Sequence, residues 1–136
     1  MEAILRDGFD GSFAAVIAGY EYTSYQVFDS ATDIGLLMEY QYDDRSVSEP
    51  VTLADNDWFG GGRLALNDVQ DTVVLAGVVV DVDTSETFFN IEAERRIGNN
   101  IILELRVRAI TGAELGEPAY AFSRDDYAQL QIARYF

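Results

Sequence analysis

Along most of the chain, hydrophobic and polar positions alternate with a period of two. From Asp33 to Asp43, Ile34, Leu36, Met38, Tyr40 and Tyr42 alternate with Asp33, Gly35, Leu37, Glu39 and Gln41. A helix would scatter both sets around its circumference, so this spacing predicts a strand. Residues 12–25 read the same way, with Ala14, Val16, Ala18, Tyr20 and Tyr22 on one parity. So do 57–67, 72–82, 86–96, 100–110 and 126–136, and residues 2–6 form a weaker first strand. Six of the seven strong segments are 11 residues long and 12–25 is longer, enough for a tilted strand to cross a bilayer. Soluble strands are usually about 5–6 residues.

The connections add a second regularity. Asp68–Asp71, Asp83–Glu86 and Ile97–Asn100 read as tight turns, and Gln26–Thr32 as a medium link. Asp44–Asn56 and Thr111–Asp125 are long, and each holds one of the two prolines. In an up-and-down order the two long loops fall at the same end of the sheet. Outer-membrane barrels have long outer loops and short periplasmic turns. With the C-terminus periplasmic, eight strands close into a barrel. Tyr20, Tyr22 and Phe136 then mark the periplasmic ends of their strands, and Tyr40, Tyr42, Trp58 and Phe89 the outer ends. Between them the same parity is Val, Ile, Leu, Ala and Met. This is the pattern of two aromatic girdles around an apolar band.

Composition narrows the chemistry. The 136 residues carry 24 Asp and Glu against 9 Arg and no Lys, a net charge of −15, with no His and no Cys. Disulfides, thiol catalysis and a histidine base are excluded. Nucleic acid is not expected as a partner, because its phosphates would repel so acidic a chain. At 49% hydrophobic with few prolines, the chain is not of disordered composition. The longest apolar run, Val73–Val80 with Gly77 counted, is far short of the ~20 residues of a transmembrane helix. No signal peptide is legible at the start.

Taken together, these patterns resemble bacterial outer-membrane β-barrel proteins. Residues Asp126–Phe136 look like the C-terminal strand that the barrel-assembly machinery recognises in that group. Phe136, Ile132, Leu130 and Ala128 match, and Arg134 departs from the usual apolar residue. The stretch Ile34–Arg45 is similar to the C-terminal half of larger proteobacterial outer-membrane proteins, so a shortened barrel or a piece of a longer one is also consistent. The resemblance implies an antiparallel up-and-down transmembrane barrel in the bacterial outer membrane. Outer-membrane lipid and, during biogenesis, the assembly machinery would be its partners. Homo-oligomerisation stays open.

On the opposite parity lie Glu21, Glu39, Arg63, Glu92, Glu94, Arg96, Glu104, Arg106 and Arg108. An eight-stranded barrel has an interior just wide enough for side chains. Charges there must pair, and the turn at Gly98–Asn99 brings Glu92 opposite or diagonal to Arg106. Gly19, Gly35, Gly61 and Gly77 share this parity and leave room for bulky neighbours. Gly60–Gly62 is no phosphate loop, since it sits in a strand with no lysine after it. The loops are acidic: Asp43, Asp44, Glu49, Asp55, Asp57, Glu114, Glu117, Asp125 and Asp126. A solvated anionic rim accounts for them. Divalent-cation binding is the competing reading, although Asp55-Asn56-Asp57 lacks the glycine and terminal glutamate of an EF-hand. No metal, cofactor or catalysis is expected. The expected role is structural or interaction-based. A porin-like pore or part of a larger channel, and a soluble lipocalin-like barrel with its faces inverted, are the alternatives.

Overall fold

A computed structural model describes residues 1–8, 11–46, 49–50, 52, 55–84, 86–116 and 118–136. It contains eight strands: β1 (Glu2–Gly8), β2 (Gly11–Ser24), β3 (Asp33–Asp43), β4 (Asn56–Ala65), β5 (Val73–Asp81), β6 (Thr87–Ile97), β7 (Ile101–Thr111) and β8 (Tyr127–Arg134). They form one sheet in chain order, each strand antiparallel to the next. Among the described residues, helical structure is confined to short 3₁₀ segments at Val27–Asp29 and Pro118–Phe122. Among the described residues, no helix is long and apolar enough to cross a membrane.

The expected closure is not present. Hydrogen-bonded neighbours run from β1 to β8 and stop, so the sheet is open with β1 and β8 as its edges. These are the shortest strands, 7 and 8 residues, against 9 to 14 elsewhere. Each edge presents unpaired backbone groups. The final strand also ends at Arg134, earlier than the periodicity predicts. Tyr135 still donates its N–H to the Asn100 carbonyl (2.8 Å), whereas Phe136 lies beyond the ladder and is fully exposed.

Turn chemistry explains where strands stop. Gly98 adopts φ +63° in the β6–β7 turn, a left-handed conformation that a Cβ would disfavour. In the β4–β5 turn Asp68 accepts hydrogen bonds from the Thr72 N–H and hydroxyl, both at 2.9 Å. Asn67 and Asp71 take positive φ there. These bonds and the Thr72 N–H in particular hold the Asp68 carboxyl below the usual aspartate range. In the β5–β6 turn Asp81 Oδ1 accepts from the N–H groups of Asp83 and Thr84. The loops 44–55 and 112–126 leave the same end of the sheet, as the strand order requires.

Register carries the alternation across the whole sheet. Tyr20, Met38, Gly60, Val78, Phe89 and Ala109 lie on one continuous row of partners. The neighbouring row on the opposite face is Gly19, Glu39, Phe59, Val79, Phe88 and Ile110. One face is therefore apolar from β2 to β8 except for Arg95 and Arg134 near the turn end, and the other carries the remaining strand charges, interspersed with aromatic and aliphatic residues. No second layer among the described residues covers either. Among the described residues only Asp57, Ala65 and Ala119 are buried. A soluble domain closes a core between at least two layers; here Tyr20, Leu36, Met38, Leu130 and Ile132 are all more than half exposed on the apolar face.

Candidate functional site

The polar face forms a cleft. A cavity of about 510 Å³ opens on it, walled by Glu21, Leu37, Phe59, Arg63, Leu75 and Asn90 among others. A second, of about 280 Å³, lies between β5 and β7 and is lined by Glu92, Glu94, Glu104 and Arg106. The first is floored by glycine. A Cβ on Gly61 would meet the Phe59 ring at 2.7 Å, and one on Gly77 would meet it at 2.9 Å. The small residues of this parity thus make a seat for one aromatic side chain, which lies flat across two strands.

All nine charged residues expected inside share this face, but they do not form one network. Register sets Glu92 directly opposite Arg106. Arg106 instead bonds Glu104, two residues away on its own strand (3.3 Å). Within the set this is the one ion pair among the described residues. Glu94 faces Glu104, a like-charge juxtaposition. Glu92 accepts a hydrogen bond from Asn90 (3.4 Å), and Glu39 one from Gln41 (2.7 Å). Arg108 lies over the rings of Phe88 (5.5 Å) and Tyr127 (5.6 Å), a cation–π placement. Arg96 reaches out of the cleft to Asp71 of the β4–β5 turn (2.7 Å), and its neighbour Arg95 reaches Asp68 (3.5 Å). Arg106 and Arg96 are about half exposed. These charges are solvated in the open sheet, which is why they need no exhaustive pairing.

The aromatic set stands on the apolar face. Tyr20, Tyr22, Tyr42, Trp58 and Phe89 are each more than 40% exposed. Tyr40 packs against Trp58 with ring centroids 4.9 Å apart. Its hydroxyl donates to Asn56 Oδ1 (2.8 Å), so this pair is apolar on one side and hydrogen-bonded at the strand end. Ala128, Leu130 and Ile132 continue the face along β8. Arg134 sits over the Phe136 ring at 5.0 Å, which gives the departing arginine a contact.

At the loop end, Asp57 pairs in register with Asp81. Periodicity singles out Asp55-Asn56-Asp57 but misses Asp81. The β4–β5 hairpin is symmetric about Val69 and so sets residues 57 and 81 opposite one another, a register that the turn read at Asp68–Asp71 does not fix. Of the acidic rim, Asp43 pairs with Arg45 and Asp126 accepts the Ile110 N–H (2.8 Å). Glu117 lies outside the described residues. No known protein family, curated protein or solved structure matches the chain.

Proposed function

We propose that this chain is an integral β-barrel protein of a bacterial outer membrane, its barrel completed in the bilayer by pairing the edges that are open here, with the apolar face against lipid and the polar face lining a lumen. Its role on this reading is structural or interaction-based, without catalysis. The observation that carries it is the unlayered sheet: an apolar face, rimmed by tyrosine and tryptophan, that no layer among the described residues covers. Lipid is the solvent such a face fits. The lipocalin-like alternative needs the apolar face turned inward, yet the cleft opens on the other face, where Glu21, Arg63 and Asn90 stand among Leu37, Phe59 and Leu75. The open edges favour a second form of the same reading, in which the eight strands are part of a larger pore. There β1 and β8 pair with further strands, from a longer chain or a second copy. In a bilayer no edge can stay unpaired, because its N–H and C=O groups would find no water.

The test is fractionation of the expressed chain. An outer-membrane barrel is expected to leave the membrane only with detergent and to migrate differently on a gel before and after boiling. Recovery in the aqueous fraction without detergent, with no heat-modifiable band, would contradict the reading. A heat-sensitive band at a multiple of the chain mass would select the larger pore.

A further inference from the structure

Beside the cleft, at the loop end of β4, sits a carboxylate that the lumen and the lipid face leave unexplained. Asp57 is 4% exposed, and its Oδ2 is buried with no hydrogen-bond partner. One carboxylate oxygen from each of Asp55, Asp57 and Asp81 falls within 4.8 Å of the others. No arginine offsets them: among the described residues, none of the three joins an ion pair. A buried carboxylate is retained when it is paired or coordinates a metal. The other two are held in place by backbone donors. The Asn56 N–H bonds Asp55 Oδ1 (3.0 Å), and the Asp83 and Thr84 N–H groups bond Asp81 Oδ1 (2.7 Å each).

We propose that Asp55, Asp57 and Asp81 form a binding site for Ca²⁺. The donor set is oxygen only and triply anionic, which suits a hard divalent cation. Ca–O distances of 2.3–2.6 Å let two ligands stand as much as roughly 5 Å apart across the ion, so three oxygens lying within 4.8 Å of one another are close enough to share one Ca²⁺ with small side-chain adjustment. Mg²⁺, at 2.0–2.1 Å, spans only about 4 Å and demands near-octahedral geometry. Water completes the coordination. The site also has a mechanical consequence. The Asp43 N–H donates to the Asp55 carbonyl and the Val82 N–H to the Asn56 carbonyl, both at 2.8 Å. An ion on the three carboxylates therefore ties the ends of β3, β4 and β5 together where the long loop 44–55 enters the sheet.

The experiment is a calorimetric titration of the full folded chain, stripped with chelator, with CaCl₂ alone, alongside thermal melts at constant ionic strength. One Ca²⁺ per chain and a higher melting temperature are expected, with MgCl₂ weaker in both. Asp57→Asn and Asp81→Asn should each weaken Ca²⁺ binding on the order of tenfold or more, because affinity follows the charge of the ligand set. Metal-free Asp57→Asn should melt at or above metal-free wild type, since one of three crowded like charges is gone. Asp125→Asn, on the loop before β8, should bind as wild type does. No calcium binding by wild type, unchanged affinity in Asp57→Asn, or equal weakening in Asp125→Asn would overturn the site; the last would assign the effect to general screening of an acidic rim.

Discussion

Phe59 lies down across Gly61 and Gly77 on the polar face, while Trp58, the next residue along β4, stands nearly half exposed on the other. The two faces follow different packing rules. On the polar face, large and small residues interlock, and charges reach along strands or out to the turns. On the apolar face the side chains are similar in chemistry but have little to interlock with: Tyr40 against Trp58 is the ring–ring contact among the described residues. A face built for protein packing is specific about volume. A face built for a fluid apolar solvent is specific only about polarity. The two should therefore fail by different substitutions.

The largest effect is expected on the apolar face. Val78 lies mid-strand on it, opposite Gly60 and Phe89. In lipid vesicles Val78→Arg should cost about 2–4 kcal/mol in a reversible unfolding titration, the penalty for a cation near the bilayer midplane. Val78→Leu, which changes volume but not polarity, should be close to neutral. Leu75, on the polar face, should tolerate glutamine better than Val78 tolerates arginine.

The polar face should show the opposite sensitivity. Gly61→Ala places a methyl group inside contact distance of Phe59 and should cost about 1–3 kcal/mol, the usual penalty of overpacking. In a Phe59→Leu background the same change should cost less, and a double-mutant cycle reads the coupling. Additive losses would mean that the ring does not rest on the glycine seat.

Charge changes in the cleft should be smaller. Arg106 is about half exposed and pairs with a residue on its own strand, so Arg106→Ala should cost less than about 1 kcal/mol. Glu92→Gln should leave that value unchanged, because Arg106 bonds Glu104. Closing the sheet into a dry lumen would raise the Arg106 penalty, so the same substitution also measures how wet the cleft is.

The smallest effect concerns pH. Asp68 titrates below the usual aspartate range because the Thr72 N–H and hydroxyl bind its charged form. A depressed folded-state pKa stabilises the fold above the ordinary aspartate value, and that contribution fades as pH falls through the folded one. Asp68→Asn should therefore lower stability slightly at neutral pH, flatten the acidic limb of the stability curve, and make little difference once pH is below the folded-state value.

Much of this contrast was legible in the sequence because alternation encodes faces directly. The periodic segment 33–43 coincides with β3, and Glu39 and Tyr40 fall on the faces their parity assigns. Closure was not legible. Alternation says which way a side chain points and is silent on whether the last strand meets the first. The pairing of charges was equally hidden, since parity groups Glu92, Glu94, Glu104 and Arg106 but rotamers decide which of them touch. The role of Asp81 was hidden in the sequence for a third reason. Its link to Asp57 depends on hairpin register, and the chain between them carries no sign of it beyond the turn at Asp68–Asp71.

The most direct measurement places a spin label in turn at Val78, Leu103 and Leu130 in the chain reconstituted into lipid vesicles. These three positions span the apolar face from β5 to β8. The expected result is strong relaxation by oxygen, which concentrates among acyl chains, and protection from aqueous nickel reagents at all three. Shielding from both quenchers at all three positions would make this face a protein-covered core, and exposure to nickel would put it in water; either contradicts a lipid-facing sheet.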